Sequence, residues 1–181
     1  MAWYPELKGP ALDAYRKMVA TLKARAMREL NLSESEIVVR DLRPADLGQS
    51  STSPDYNVGL TALTWTPIVN NVTISDNRFI GINGFMIKHS STAGAGSVEV
   101  DVPVVEQIRV TRKGTTARYW QVKQIGYFEN NVGYCDDPVT VDQNTTITIE
   151  GLARTASSLA GKFDILGVVV EKKGILVSPL L

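Results

Sequence analysis

The stretch Gln143-Asn-Thr-Thr-Ile-Thr-Ile-Glu150 places threonine and isoleucine at alternate positions, so that the isoleucines share one side of a pleated strand. The same two-residue period recurs in Val98-Glu-Val-Asp-Val102 and Ile108-Arg-Val110. Turn-forming Gly, Asn, Asp or Pro residues separate such segments, with no helical pattern between them. The sequence therefore predicts a mainly β fold, an antiparallel β-sandwich or jelly roll of about eight strands.

Two longer segments of this region are each predicted to form one continuous strand. Val139–Glu150 keeps its apolar residues at odd positions, and Arg118–Tyr127 begins with Trp120 and Val122 on the same side of a strand. Between the first predicted strand, Ile37–Leu42, and the next, residues 43–55 are dense in Pro, Asp, Gly and Ser, which indicates a loop. We expect one β domain over residues 37–181, preceded by a helical arm over residues 1–36.

Only the segment Ala11–Leu30 has a helical period. Pro10 suits the first turn of a helix, and the residues that follow it are mostly good helix formers. One apolar stripe at helical spacing consists of Leu12, Tyr15, Val19, Leu22, Ala26 and Leu30. The opposite side is basic and carries Arg16, Lys17, Lys23, Arg25 and Arg28. The pattern predicts a cationic amphipathic helix.

Composition excludes several classes of protein. The 19 basic and 19 acidic residues give zero net charge, so no global basic excess favours sequence-specific nucleic-acid binding. One cysteine and one histidine are too few for a structural zinc site or a disulfide scaffold. The N-terminal residues lack an apolar run of signal-peptide length, and no apolar stretch is long enough to span a bilayer. We expect synthesis in a cytoplasm.

Three groups of residues are candidates for sites of chemistry. His89, at the end of a predicted strand, would need an orienting partner to act in catalysis, and no nucleophile motif accompanies it. Cys135 is followed by Asp136 and Asp137, which raise rather than lower the pKa of a thiol. Those two carboxylates and Asp142 leave open a hard-cation site, although a turn is the favoured explanation. We expect no enzyme, cofactor or metal.

The aromatic residues admit two interpretations. Trp65, Tyr119 and Trp120 could form a face on which sugar rings stack, as in a carbohydrate-binding module. However, Trp65 shares a strand side with Leu63, and Trp120 shares one with Val122, which favours packing in the core.

Both ends of the chain suggest self-association. The C-terminal segment Ile175-Leu-Val-Ser-Pro-Leu-Leu181 is apolar, and exposed apolar segments require cover. The residues expected at an assembly interface are Tyr15, Val19 and Leu22 of the helix, with Leu176, Leu180 and Leu181 of the tail. The five basic helix residues are the electrostatic candidates for a protein partner or an anionic lipid surface.

Four features together carry a family resemblance: the helix at Ala11–Leu30, the run Ile125–Pro138, the strand Gln143–Glu150 and the closing segment Phe163–Gly174. In size and element order the chain resembles single vertical jelly-roll capsid proteins. It is most similar to the small major capsid protein of icosahedral phages that have an internal membrane and infect thermophilic bacteria. The resemblance implies a structural virion protein without catalytic residues. Its implied partners are copies of itself, other coat proteins and the internal viral membrane.

The leading hypothesis from the sequence is therefore a self-assembling coat subunit located in the virion capsid. The first alternative is a carbohydrate-binding or receptor-binding β-sandwich, such as a spike or lectin-like domain. The second is an enzyme that uses His89 together with an acidic side chain.

Overall fold

The structure is a computed structural model that describes residues 1–50, 56–90, 99–100, 105–115, 117–153 and 160–174. Its elements in chain order are β1 (Trp3–Tyr4), α1 (Gly9–Leu30), β2 (Ile37–Asp41), β3 (Tyr56–Gly59), β4 (Trp65–Thr73), β5 (Arg78–Ser90), β6 (Glu99–Val100), β7 (Val105–Arg112), β8 (Arg118–Gln121), β9 (Val132–Val141), β10 (Thr146–Ala153) and β11 (Ala160–Lys172). Short 3₁₀ helices cover Glu34–Glu36, Pro44–Leu47 and Lys123–Tyr127.

The strands form two antiparallel sheets. Sheet A has the order β1-β9-β5-β11-β2, with β3 pairing with β11 and β6 pairing with β5. Sheet B has the order β4-β10-β7-β8. The predicted fold class, mainly β with an N-terminal helix, is confirmed.

The main hydrophobic core lies between the two sheets. Ile147 and Ile149 of β10 are fully buried in it, together with Ile108 and Val110 of the neighbouring strand β7. Thr146 and Thr148 lie on the other side of β10 and are only partly buried. The prediction that the isoleucines share one side of the strand is therefore confirmed, and this side faces the core.

The predicted strand Val139–Glu150 is wrong as one element, because the chain turns between β9 and β10. Asn144 adopts a left-handed conformation with φ 56°, and its backbone N–H donates to the oxygen of Ile74 at 2.9 Å. The apolar residues occupy odd positions both before and after this turn. The alternation is therefore unchanged across the turn and gives no sign of it. The predicted strand Arg118–Tyr127 likewise ends early, at Gln121, and a 3₁₀ helix follows it.

Helix α1 lies on the outer face of sheet A. Met18, Leu22 and Ala26 form a second buried cluster with Phe79 of β5 and two valines of β11. A Cβ atom at Gly81 would lie 2.5 Å from the Met18 sulfur, so a glycine at this position allows the helix to approach the sheet closely. The helix ends at Asn31, which is left-handed with φ 52°.

The first residues of the chain are part of the sandwich. The arm expected over residues 1–36 is not detached, because β1 pairs with β9 and the Trp3 side chain enters the core between the sheets. The Trp3 ring packs edge-on against Phe85 and Trp120, each at 6.1 Å between ring centroids. Its indole N–H donates to the Gln121 oxygen at 2.7 Å.

Four charged side chains form a largely buried network, here called the charge quartet, on the core side of sheet A. The carboxylate of Glu171 on β11, about 2% exposed, accepts from Nε of Arg40 on β2 and from Nε of Arg78 on β5, both at 2.9 Å. Arg40 also donates two hydrogen bonds of 2.7 Å to Asp46. The quartet carries two positive and two negative charges, so it is neutral as a whole.

Within the charge quartet, mutual hydrogen bonding outweighs the cost of burial. Burial alone would lower the pKa of the Arg40 guanidinium, but its hydrogen bonds to Asp46 and Glu171 raise that pKa above its ordinary value. Burial alone would raise the pKa of the Asp46 carboxyl, yet hydrogen bonds from Arg40 and from the Arg43 backbone N–H lower it. Both groups therefore stay charged.

Replacing Trp3 by Ala is expected to lower the free energy of unfolding by about 3–5 kcal/mol, because the substitution leaves a cavity in the core. The measurement is equilibrium urea unfolding. The matched control is Tyr4→Ala, which removes the other aromatic side chain of β1, one that is only partly buried. A loss for Trp3→Ala no larger than the loss for Tyr4→Ala would contradict the placement of the N-terminus in the core.

Candidate interaction surfaces

The apolar residues of α1 that were expected at an assembly interface face the chain's own sheet. Leu22 is fully buried against sheet A, and Tyr15 and Val19 pack around the same cluster. Leu22 is therefore unavailable as an exposed contact, since the helix stripe is covered within the chain. The three tail residues, Leu176, Leu180 and Leu181, lie outside the described residues.

The five basic residues of α1 divide into two groups. Lys23 donates to Glu34 at 2.8 Å, and Arg25 donates to Asp142 at 2.8 Å. The other three are exposed: Arg28 lies 3.4 Å from Glu29, and neither Arg16 nor Lys17 forms an ion pair within the described part of the chain. The outer face of the helix is consequently less cationic than the sequence indicated.

Cys135 is a buried thiol of the core. Burial raises its pKa to about 12, opposed by nearby Arg118 and assisted by Asp136. The sequence identified the acidic neighbour, but the larger cause is that the alternation of β9 points Cys135 inward, between the sheets. A thiol with this pKa is essentially protonated at neutral pH and is a poor nucleophile.

The three aspartates of the candidate cation site have separate partners. Asp136 accepts from the Ala2 backbone N–H at 2.9 Å, Asp137 pairs with Arg118, and Asp142 pairs with Arg25. Across the ranges that the structure describes, no group of three or more His, Cys, Asp or Glu side chains is arranged to hold a metal ion. His89 belongs to β5, but its side chain lies outside the described residues.

The outer face of sheet B carries an aromatic patch, here called the Trp65 patch, which consists of Trp65, Arg109, Tyr119 and Glu150. The Arg109 guanidinium lies over the Trp65 ring at 4.6 Å from its centroid and donates to Glu150 at 2.6 Å. The Tyr119 ring meets Trp65 edge-on at 5.8 Å and is 54% exposed. The patch is thus one continuous surface to which β7, β8, β10 and the start of β4 each contribute one residue.

The prediction that Trp65 belongs to the core is wrong, whereas the same prediction for Trp120 is confirmed. Trp120 is fully buried, but Trp65 is only partly buried, and Leu63 is 76% exposed. Leu63 precedes β4 and has a left-handed backbone with φ 55°. The direction of its side chain therefore does not indicate which face of the sheet Trp65 occupies. Trp65 therefore lies on the outer face with Arg109 and Tyr119, and these three residues form a surface that sequence reasoning missed.

No helix within the described residues is long and apolar enough to span a bilayer. Comparisons with protein-family models, with curated protein sequences and with solved structures found no match for this chain. The function is therefore inferred from the geometry of the chain itself.

Proposed function

We propose that the protein is a structural subunit of a virion coat that acts by associating with copies of itself. The observation that carries the proposal is the pairing order of the eight principal strands, β2, β4, β5, β7, β8, β9, β10 and β11. Their hydrogen-bonded pairs include the first with the eighth, the second with the seventh, the third with the sixth and the fourth with the fifth.

That pairing order supports a jelly roll, in which one long antiparallel hairpin of eight strands is rolled into two sheets. It supports the resemblance to single vertical jelly-roll capsid proteins, because coat proteins are among the main users of this arrangement. Lectin domains use it as well, so the fold alone does not define the function. The outer faces of the sandwich must therefore show whether a coat protein or a lectin domain fits this chain better.

The two outer faces of the sandwich differ in a way that supports association. Helix α1 packs on the strands of sheet A and makes no comparable contact with the strands of sheet B. The outer face of sheet B, here called the open face, thus has no long helix of the described chain packed on it. This open face carries the Trp65 patch with exposed Leu63 beside it in sequence. Trp, Tyr and Arg are the residues that dominate binding energy in protein interfaces. A second copy of the chain is the occupant that we propose.

The geometry of the Trp65 patch favours a protein partner over a sugar. A stacked sugar ring needs a free aromatic face, but Arg109 already covers one face of the Trp65 ring. The Tyr119 ring stands at 64° to the Trp65 ring, so the two do not form one flat platform. Because Arg109 is paired with Glu150, the patch is close to neutral, and two identical copies meet without net repulsion.

The exposed basic residues of α1 supply a second contact in this proposal, with the anionic headgroups of an internal membrane. Each basic residue near such a surface contributes about 1 kcal/mol to the free energy of membrane binding. Arg16, Lys17 and Arg28 together therefore provide roughly 3 kcal/mol per subunit, which is weak for a single molecule. An assembled shell presents many such helices at once, and multivalency then makes the contact stable.

The association prediction is tested by sedimentation velocity at increasing protein concentration. The natural chain is expected to form larger species, and the double variant Leu63→Ser with Tyr119→Ser is expected to weaken association at least tenfold, about 1.4 kcal/mol. Tyr127→Ser is the matched control, because Tyr127 is similarly exposed at a different site.

Two results would count against this account. A natural chain that stays monomeric at every concentration contradicts the coat function, and in that case binding to a glycan array supports the carbohydrate-binding alternative. Equal weakening by the control and by the double variant contradicts the role of the Trp65 patch.

The lipid prediction is tested by flotation with vesicles that contain about 30% phosphatidylglycerol. Assembled protein is expected to float with the vesicles at low salt and to be released at high salt, since screening weakens surface electrostatics. The variant Arg16→Glu, Lys17→Glu, Arg28→Glu should assemble but lose flotation. The control Lys113→Glu, Lys172→Glu, Lys173→Glu reverses three other exposed charges. Equal loss in both variants shows that α1 has no specific role.

A further inference from the structure

A cleft of about 370 Å³ opens where the first half of α1 meets the outer face of sheet A. Tyr15 of the helix and Leu7 form one side of it, and Tyr134 of β9 forms part of another. Asp41 and Leu42 close it at the opposite edge of the sheet. The cleft is separate from the Trp65 patch, which lies on the other sheet.

A side chain from an irregularity in the central strand lines this cleft. The ladder between β5 and β11 shifts register at Asn83: Ile82 pairs with Gly167 and Gly84 pairs with Leu166. The ladder between β5 and β9 shifts at the same residue. Asn83 thus has no counterpart on either neighbouring strand, which is the arrangement of a β-bulge, a device that re-aims a side chain.

The Asn83 side chain has no hydrogen-bond partner within the described part of the chain. The residue as a whole is only 2% exposed, yet its amide atoms are not fully buried: among the described residues, the buried side-chain nitrogen or oxygen without a partner is Nε1 of Trp120. The small exposed part of Asn83 therefore includes its amide, which reaches the cleft that the residue lines and can bind a molecule there.

The other polar groups of the cleft restrict the chemistry of a ligand. Asp41 is exposed at the rim and has no ion pair within the described residues, and its carboxylate accepts hydrogen bonds only. Asp164 also lines the cleft but already has an interaction of its own. The Asn83 amide can pair both with an acceptor for its N–H groups and with a donor for its oxygen. Hydroxyl groups supply both, whereas an ammonium group supplies donors alone.

We propose that this cleft binds one ring of a saccharide through neighbouring hydroxyl groups. One hydroxyl accepts from the Asn83 amide N–H and an adjacent one donates to the Asn83 oxygen or to Asp41, while Tyr15 and Tyr134 contact the apolar side of the ring. Ligand pockets usually span roughly 300–1,000 Å³, and this cleft lies near the lower limit, which suits a single ring. The inference goes beyond the coat function and does not depend on it.

The experiment uses the full chain and two kinds of probe. Free D-glucose, D-galactose, D-mannose and N-acetylglucosamine are tested by saturation-transfer difference NMR, and immobilised glycans are tested on an array. At least one sugar is expected to bind with a dissociation constant on the order of 1 mM, which corresponds to about −4 kcal/mol. Binding to the array alone would show that the ring is recognised at the end of a glycan chain.

Variants locate the site. Asn83→Leu and Asp41→Asn are each expected to weaken sugar binding at least tenfold, and Asp41→Asn keeps the test valid if Asn83→Leu fails to fold, because Asp41 is exposed. Asn70→Leu, an exposed asparagine on sheet B, is the matched control. The proposal is overturned if no sugar binds, if both cleft variants bind as well as the natural chain, or if 1,4-diaminobutane binds in the cleft and sugars do not.

Discussion

Glu171 is the point at which three strands of sheet A are held together by charge. Two arginines, from β2 and β5, share its carboxylate on either side of β11, and Asp46 completes the charge quartet from the 3₁₀ helix Pro44–Leu47. Removing charges from water costs several kcal/mol per ion, so such a network stabilises a fold only when every member is hydrogen-bonded. That requirement fixes the lateral order β5-β11-β2 and brings Leu47 into the core.

The two outer faces of the sandwich differ in what packs on them. The outer face of sheet A receives α1, and the bulge at Asn83 leaves a cleft beside the helix. On the outer face of sheet B, exposed Tyr119 lies beside partly buried Trp65 and Arg109, which come from separate strands. The proposed association surface and the proposed saccharide cleft therefore lie on opposite sides of one core, so both can be occupied in the same molecule.

The sequence predicted the fold class and the helix well because both depend on local periods. Ile147 and Ile149 face the core as their alternation indicates, and Pro10 lies in the first turn of a helix that ends at Leu30. Features that depend on long-range register were not accessible. The bulge at Asn83 exists only relative to β9 and β11, and the charge quartet joins residues up to 131 positions apart. Trp65 was misplaced because Leu63, the residue used to orient it, precedes the strand.

Hydrogen exchange measured on dilute and on concentrated protein tests the central claim, that this chain functions through contacts between copies of itself across the open face of sheet B. The account predicts that raising the concentration slows amide exchange in β8 and in the residues leading into β4, while exchange in α1 remains unchanged. Uniform exchange at all concentrations, or slowing confined to α1, would contradict it.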